Sequence, residues 1–406
     1  MRAETIRLLD YWLGVPACRL LSAVRRLGGR AKPGPRPQRI LFLKFIEQGA
    51  TVLAQDAIAR ATRRVGRGNV YFCVFESNRA ILDVLDVVPA ANILSIRDQQ
   101  LLTFTIDFVR ALMVMRARRV DTVIDMEFFS RASAIFAFLS GATTRVGLHR
   151  FTGELPYRGN LMTHRVQYTP HVHVAQQYAL LVEAAFLDPV DEPLLKVPLL
   201  QIAPPAAISY RYSPAASELD AVHARLKATS RDATGPIVLI NPNASDLLPL
   251  RKWETARFVD LSKRVLAAFP QATIVVTGAP AEQPAAERLC REIGADRAVS
   301  VAGKTTLREL LTLYTIADVL VTNDSGPAHF ASLTPVHTVV LFGPETPRLF
   351  AALSPATTII WKELACSPCV SVFNHRLSPC RNNVCMQAIT VDEVFEAVRT
   401  AVAARV

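Results

Sequence analysis

Short runs of β-branched and apolar residues recur along this chain, each followed by a longer stretch with helical spacing. Residues 40–45 (ILFLKF), 69–75 (NVYFCVF), 92–96 and 121–126 read as strands, with amphipathic segments such as 51–65 between them. Strands that are apolar on both faces must be covered on both faces, so the pattern predicts parallel sheet with crossover helices. A proline-rich stretch over 189–214 interrupts it, with Pro193, Pro198, Pro204, Pro205 and Pro214. The alternation then restarts at 237–240 (IVLI), 272–277 (ATIVVT), 298–301, 318–322 (DVLVT), 338–342 and 358–361. A chain of 406 residues is too long for one ordinary core. The expectation is α/β: two doubly wound, Rossmann-like domains over 39–200 and 215–390, with a final helix over 391–406. In such folds ligands bind at the carboxyl ends of the strands, which predicts a cleft between the two domains.

Charge is unevenly spread. Of a formal net charge of +11, seven units lie in residues 1–39, where nine Arg and Lys face only Glu4 and Asp10. An enzyme working on nucleic acid spreads basic residues and aromatics around its cleft, so no nucleic-acid partner is expected. The leader, residues 1–38, also carries Ile6, Leu9, Trp12 and Leu13, then Leu20, Leu21, Val24 and Leu27 at helical spacings, and ends in the linker AKPGPRPQ. Pro16 is expected to break its helix in two. Two readings stand side by side: a helix lying in the headgroup layer of an anionic inner membrane, or a helix packed on the protein's own surface. No apolar run approaches the roughly 20 residues of a spanning helix. Glu4, Arg7 and Asp10 interrupt any secretory core, and Cys18, Cys73 and Cys290 are isolated. The expected location is the cytoplasm, peripheral on the inner membrane.

The chemistry-bearing stretches follow predicted strands of the second half. In DVLVTNDSGPAHF a strand runs into Asn323-Asp324-Ser325-Gly326, and Pro327 suits the first turn of a helix. Free amides at such a helix start, with Ser325 and Gly326 allowing close approach, suit a diphosphate. Asp324 would accept from sugar or ribose hydroxyls, and His329 falls on the first helical turn. An ordinary capped helix is the blander reading. In IVLINPNASDLLPLRKW a strand enters a polar loop holding Asn243 and ending in Arg251 and Lys252, cations suited to phosphate. In IVVTGAPAE, Gly278 turns the chain and Glu282 is placed for a ribose diol or, more simply, for a helix start.

Together these segments resemble the bacterial heptosyltransferases, glycosyltransferase family 9. NPNAS…RKW, VVTGAPAE, AGKTTLRELLTLYTIADVLVTNDSGPAHFA and VVLFGPETP follow the family's order and spacing, and ILFLKFIEQGATVLAQDAI carries a weaker likeness. The resemblance implies a GT-B fold whose C-terminal domain holds a nucleotide-sugar donor, ADP-linked, and whose N-terminal domain holds a lipopolysaccharide-core or related glycolipid acceptor. Lys252 would then meet the donor phosphates, Glu282 the ribose, and Asp324, Ser325 and Gly326 the diphosphate and sugar, with Asn243, His329 and Gly49 in the same binding set. It also implies inversion without a metal and with no cofactor beyond the donor.

The family's first loop reads Gly-Asp, its aspartate acting as base, whereas this chain has Gly49-Ala50. Glu47 is the expected replacement, with Asp125 and Glu127 as second candidates. Cys366, Cys369, Cys380 and Cys385, with His375 between, have the makings of a structural zinc site, but buried thiols or a disulfide formed on isolation are the expectation. A nucleotide-sugar epimerase and a non-catalytic binding relative remain open as alternatives.

Overall fold

A computed structural model of the chain describes residues 10–27, 34–149, 151, 157–205, 212–229, 235–244, 248–374 and 376–404. The chain forms two units, residues 1–206 with 372–375, and residues 207–371 with 376–406.

The first unit opens with helix α1 (Gly14–Leu27). Strand β1 (Ile40–Leu43) is followed by α2 (Gln48–Leu53), α3 (Gln55–Val65), β2 (Val70–Phe75), α4 (Ala80–Leu85) and β3 (Ile93–Ile96). Then come α5 (Leu101–Ala117), β4 (Thr122–Asp125), α6 (Arg131–Leu139), β5 (Thr144–His149), β6 (His164–Gln167) and α7 (Val174–Ala184). The six strands are parallel, in the order β3-β2-β1-β4-β5-β6. The expected strands of this half are all present. β5 and β6 are additional: TRVGLH and HRVQ carry arginine, histidine and glycine at the sheet's margin, so no apolar run marks them.

One face of this sheet is covered by α5 and α6, whose Ala111, Met115, Ala134 and Phe136 pack with Leu41, Leu43 and Val123. Cys18 of α1 joins the same core, so the leader helix is docked. Gly14, Cys18 and Ser22 form its buried stripe. Gly14 lies so close to Arg131 that a Cβ there would stand 2.9 Å from that side chain. Asp10 pairs with the buried Arg131 guanidinium, and Ser22 Oγ accepts from the Asn160 amide at 2.9 Å. The helix is interrupted at Leu13, upstream of Pro16, which sits in the first turn of α1 where its missing N–H costs nothing.

The second unit contains α8 (Ala216–Thr229), β7 (Ile237–Asn241), α9 (Thr255–Ala268), β8 (Thr273–Val276), α10 (Gln283–Ile293), β9 (Ala298–Ser300) and α11 (Leu307–Ile316). It continues with β10 (Val319–Asn323), α12 (Gly326–Ala331), β11 (His337–Phe342), β12 (Thr357–Trp361) and α13 (Val391–Ala403). Its sheet, also parallel throughout, has the order β12-β11-β10-β7-β8-β9. The order reverses between β10 and β7, so the strand ends there diverge and open a crevice. Val238, Ile240, Val321 and Val339 pack under α9 and α13. Thr390 and Glu393 close a reciprocal cap on α13, which starts that helix sharply.

Candidate functional site

In the second unit the carboxyl ends of β7, β8, β10 and β11 bring the sequence motifs together. Asn323, fully buried at the end of β10, is the tie. Its amide donates to the carbonyls of Pro242 (3.0 Å) and Asn243 (3.2 Å), and its oxygen accepts from the Trp253 amide (3.1 Å). The loop after β7 is thereby held against the end of β10. Trp253 is itself buried and donates from Nε1 to the Ile389 carbonyl.

Next in line, Asp324 and Arg251 meet. Arg251 Nη1 donates to the Asp324 carbonyl at 3.0 Å, and its Nε lies 3.5 Å from the Asp324 carboxylate. The same guanidinium pairs through Nη2 with Glu345, in the loop after β11. Both carboxylates are almost wholly buried. Burial pushes the Asp324 carboxyl above its ordinary value, opposed by Arg251. Burial pushes Glu345 up to about 7, with Arg251 opposing and the Asp324 charge adding to the rise. Two carboxylates on one guanidinium leave an excess negative charge in a dry site, and raised pKa values are its physical consequence.

Ser325 does not cap α12: its hydroxyl donates back to the Asn323 carbonyl at 3.1 Å, and no side-chain cap bond is made at this helix start. The blander reading of the DSG turn therefore fails for Ser325. Gly326 and Pro327 form the first turn, and His329 is buried on the same short helix. At the end of β8, Gly278 is flanked by Asn243 and Glu282; a Cβ there would stand 2.9 Å from Asn243 Nδ2 and 3.0 Å from Glu282 Oε2. Glu282 also accepts from the Ala279 amide at 2.6 Å. Asn243, Glu282, Asp324, Ser325 and Gly326 thus share one end of the sheet. Lys252 differs from its neighbour: its side chain is exposed, while its carbonyl accepts from Asn383 at 2.9 Å. Arg251, not Lys252, is the cation at Asp324.

The first unit holds a separate charged group at the ends of β1 and β4. Lys44, fully buried, lies 3.0 Å from both Glu47 and Glu127. Glu127 also accepts from the amides of Phe45 (2.6 Å) and Ile46 (3.3 Å). Asp125 is buried against Arg158 at 2.7 Å and accepts from Ser133 at 2.9 Å; burial raises its pKa and Arg158 opposes the rise. Of the three candidate bases, Glu47 keeps a quarter of its side chain exposed, against 7% for Glu127 and none for Asp125. Glu47 also sits at φ 70°, left-handed backbone that is costly for a residue with a Cβ. It starts α2, whose Gly49 is buried and whose Ala50 amide donates to the Glu47 carbonyl.

Sequence reasoning missed Lys44 and Glu345. A charge inside ILFLKF is a signal in itself, because a lysine in a buried strand needs a partner. Glu345 falls within the motif VVLFGPETP, but its residue type suggests only a loop carboxylate until the fold buries it against Arg251. Cys366, Cys369, Cys380 and Cys385 are free thiols, and among the described residues no group of three or more His, Cys, Asp or Glu is placed to hold a metal ion. His375 lies outside the described residues.

The family model for glycosyltransferase family 9 (heptosyltransferase) matches residues 109–376. Lipooligosaccharide heptosyltransferase 2 of Campylobacter jejuni is 28% identical over 174 residues, 40% of this chain and 50% of that protein. Lipooligosaccharide heptosyltransferase 2 of Haemophilus influenzae is 26% identical over 192 residues, 46% of this chain and 51% of that one. The chain thus spans about half the length of the curated relatives it matches. Among solved structures, E. coli ADP-heptose lps heptosyltransferase II superposes with a TM-score of 0.66 at 17% identity, over 90% of this chain and 99% of that one. A family 9 glycosyl transferase from Veillonella parvula gives 0.68 at 14% identity, over 91% and 98%. These likenesses establish the fold, α/β of the GT-B type. Fold and family model agree over most of the sequence, and this chain belongs to glycosyltransferase family 9, the heptosyltransferases.

Proposed function

We propose that this protein is an inverting, metal-independent glycosyltransferase that moves a heptose-like sugar from an ADP-linked donor to a lipopolysaccharide core or related envelope glycolipid. The observation that carries the reading is the convergence of Asn243, Glu282, Arg251 and Asp324–Gly326 at the switch point of the second sheet, inside the span matched by the family model. Glu282 takes the ribose diol, the 324–326 turn and His329 take the diphosphate and sugar, and Lys252 supplies mobile positive charge to the phosphates. Arg251 fixes Asp324 for the sugar hydroxyls. Glu47, supported by Gly49, accepts the proton of the acceptor hydroxyl. That oxygen then attacks the anomeric carbon opposite the diphosphate, the carbon–oxygen bond to phosphate breaks, and ADP departs with the electron pair. The enzyme works at the cytoplasmic side of the inner membrane, held there through its leader.

Titration calorimetry with ADP, UDP and GDP, followed by product analysis with nucleotide sugars and a glycolipid acceptor, tests the reading. The expected result is preference for ADP and glycolipid product only when donor and acceptor are both present. Donor conversion without acceptor would mean an epimerase. Tight ADP binding without turnover would mean a binding protein, the outcome that Ala50 in place of the family's aspartate permits.

A further inference from the structure

The docked leader helix leaves an apolar stripe uncovered, and a second helix of the same core layer does the same. On α1, Leu20, Val24 and Leu27 recur at intervals that keep them on one side, opposite the buried Gly14, Cys18 and Ser22, and Leu13 stands exposed at the break just before the helix. Trp12, one residue before that break, is 68% exposed. α5 is apolar on two sides. Its Phe104, Phe108, Ala111 and Met115 turn inward to the core, while Leu102, Ile106, Val109 and Met113 form a second stripe at spacings of four, three and four, with Leu102 72% exposed. A helix serving only a globular core has one such stripe, because a second costs solubility and gains no burial.

The two helices belong to one layer. α1 and α5 both pack on the same sheet face around α6: Cys18, Ala111, Met115 and Phe136 share a core, and Phe108 meets Phe136 edge-on at 4.8 Å between ring centroids. Each helix turns its other side outward from that layer. The charges around them have one sign. Arg19, Arg26 and Arg110 are exposed beside the stripes. The acidic residues of these segments are occupied: Asp10 by Arg131, and Asp107 by a two-pronged pair with Arg97.

We infer that α1 and α5 together form a membrane-docking surface for an anionic bilayer, in which the two stripes enter the acyl boundary and the flanking arginines meet lipid phosphates. Charge decides between a bilayer and a second copy of the chain. A two-fold contact would set arginines against arginines with no exposed carboxylate on either helix to answer them, whereas anionic headgroups supply that complement. Trp12 and the arginines have the amphipathic form that suits the headgroup layer. This inference deepens the membrane placement proposed above and moves much of the contact from the leader to α5, within the folded domain.

The test is co-sedimentation of the full chain with phosphatidylcholine vesicles, with and without phosphatidylglycerol. Wild type should bind the anionic vesicles, more weakly at high salt. The triple variant Leu102→Ser/Ile106→Ser/Met113→Ser, which leaves the leader intact, should lose at least about tenfold in partitioning. An Arg19→Glu/Arg26→Glu variant should lose the preference for anionic lipid. Circular dichroism and ADP calorimetry on the same variants report fold and donor site separately, so a failure of the glycosyltransferase reading leaves this result standing. Unchanged vesicle binding by the folded triple variant overturns the inference. So does wild-type protein that ignores vesicles and instead sediments as a dimer dissociated by the triple substitution.

Discussion

Lys44 decides how the first unit's carboxylates are arranged. Buried and paired with both Glu47 and Glu127, it holds Glu127 as a structural anion that also accepts two backbone amides, and it leaves Glu47 as the carboxylate with access to solvent. Glu47→Gln should therefore lower kcat by roughly 10²–10⁴-fold with little change in donor affinity. Asp125→Asn should act mainly on folding, because it leaves Arg158 buried without its charge partner. Steady-state kinetics and thermal melting on both variants separate these outcomes, and normal turnover by Glu47→Gln would move the base elsewhere. Glu345 carries a different prediction. Its folded pKa, about 7, lies above its ordinary value of 4.5. Between these values the folded state binds more protons than the unfolded one. Its contribution to stability is thus fully present below pH 4.5 and lost as pH rises through about 7. Glu345→Gln keeps an acceptor for Arg251 and should remove that slope, read as the difference between the two proteins' melting temperatures from pH 5 to 8.

At the scale of elements, the donor-side site depends on how the loop after β7 is fastened to β10. Asn323 makes three bonds across that seam from a fully buried position. Asn323→Ala leaves two carbonyls and one amide without partners and should cost about 1–3 kcal/mol in denaturant unfolding, with a fall in nucleotide affinity. Little loss of either would mean that Trp253 alone holds the loop. Such ties are hard to read from sequence. NDSG announces a turn and a helix start, and that much is in the residues. Nothing in the string says that Asn323 reaches across to residues 242, 243 and 253, because those contacts join segments some 70 to 80 positions apart. For the same reason Arg251 and Lys252 look alike in sequence. Only the turn at Pro249–Arg251 puts the first onto Asp324 and leaves the second exposed.

For the whole molecule, the leader belongs to the first unit's architecture as well as to its surface. Removing residues 1–38 takes Cys18 and Ser22 from the core and Asp10 from the buried Arg131. A scanning calorimeter should register at least about 4 °C lower melting for the first unit, while ADP binding by the second unit persists. An unshifted transition would show that the docked face contributes nothing to stability. By itself, the sequence determined the α/β class, the restart of the pattern after the proline-rich stretch, most strands, and the motifs of the donor site. These are local properties, written in the period of apolar residues and in turn chemistry. Tertiary structure alone decided which cation meets Asp324, that Glu345 joins it, that Lys44 organises the first unit's carboxylates, and that the leader buries one stripe while exposing another. Those outcomes depend on burial and on contacts between distant segments, and a charge takes its role from the partners and the dielectric around it, which only the folded chain supplies.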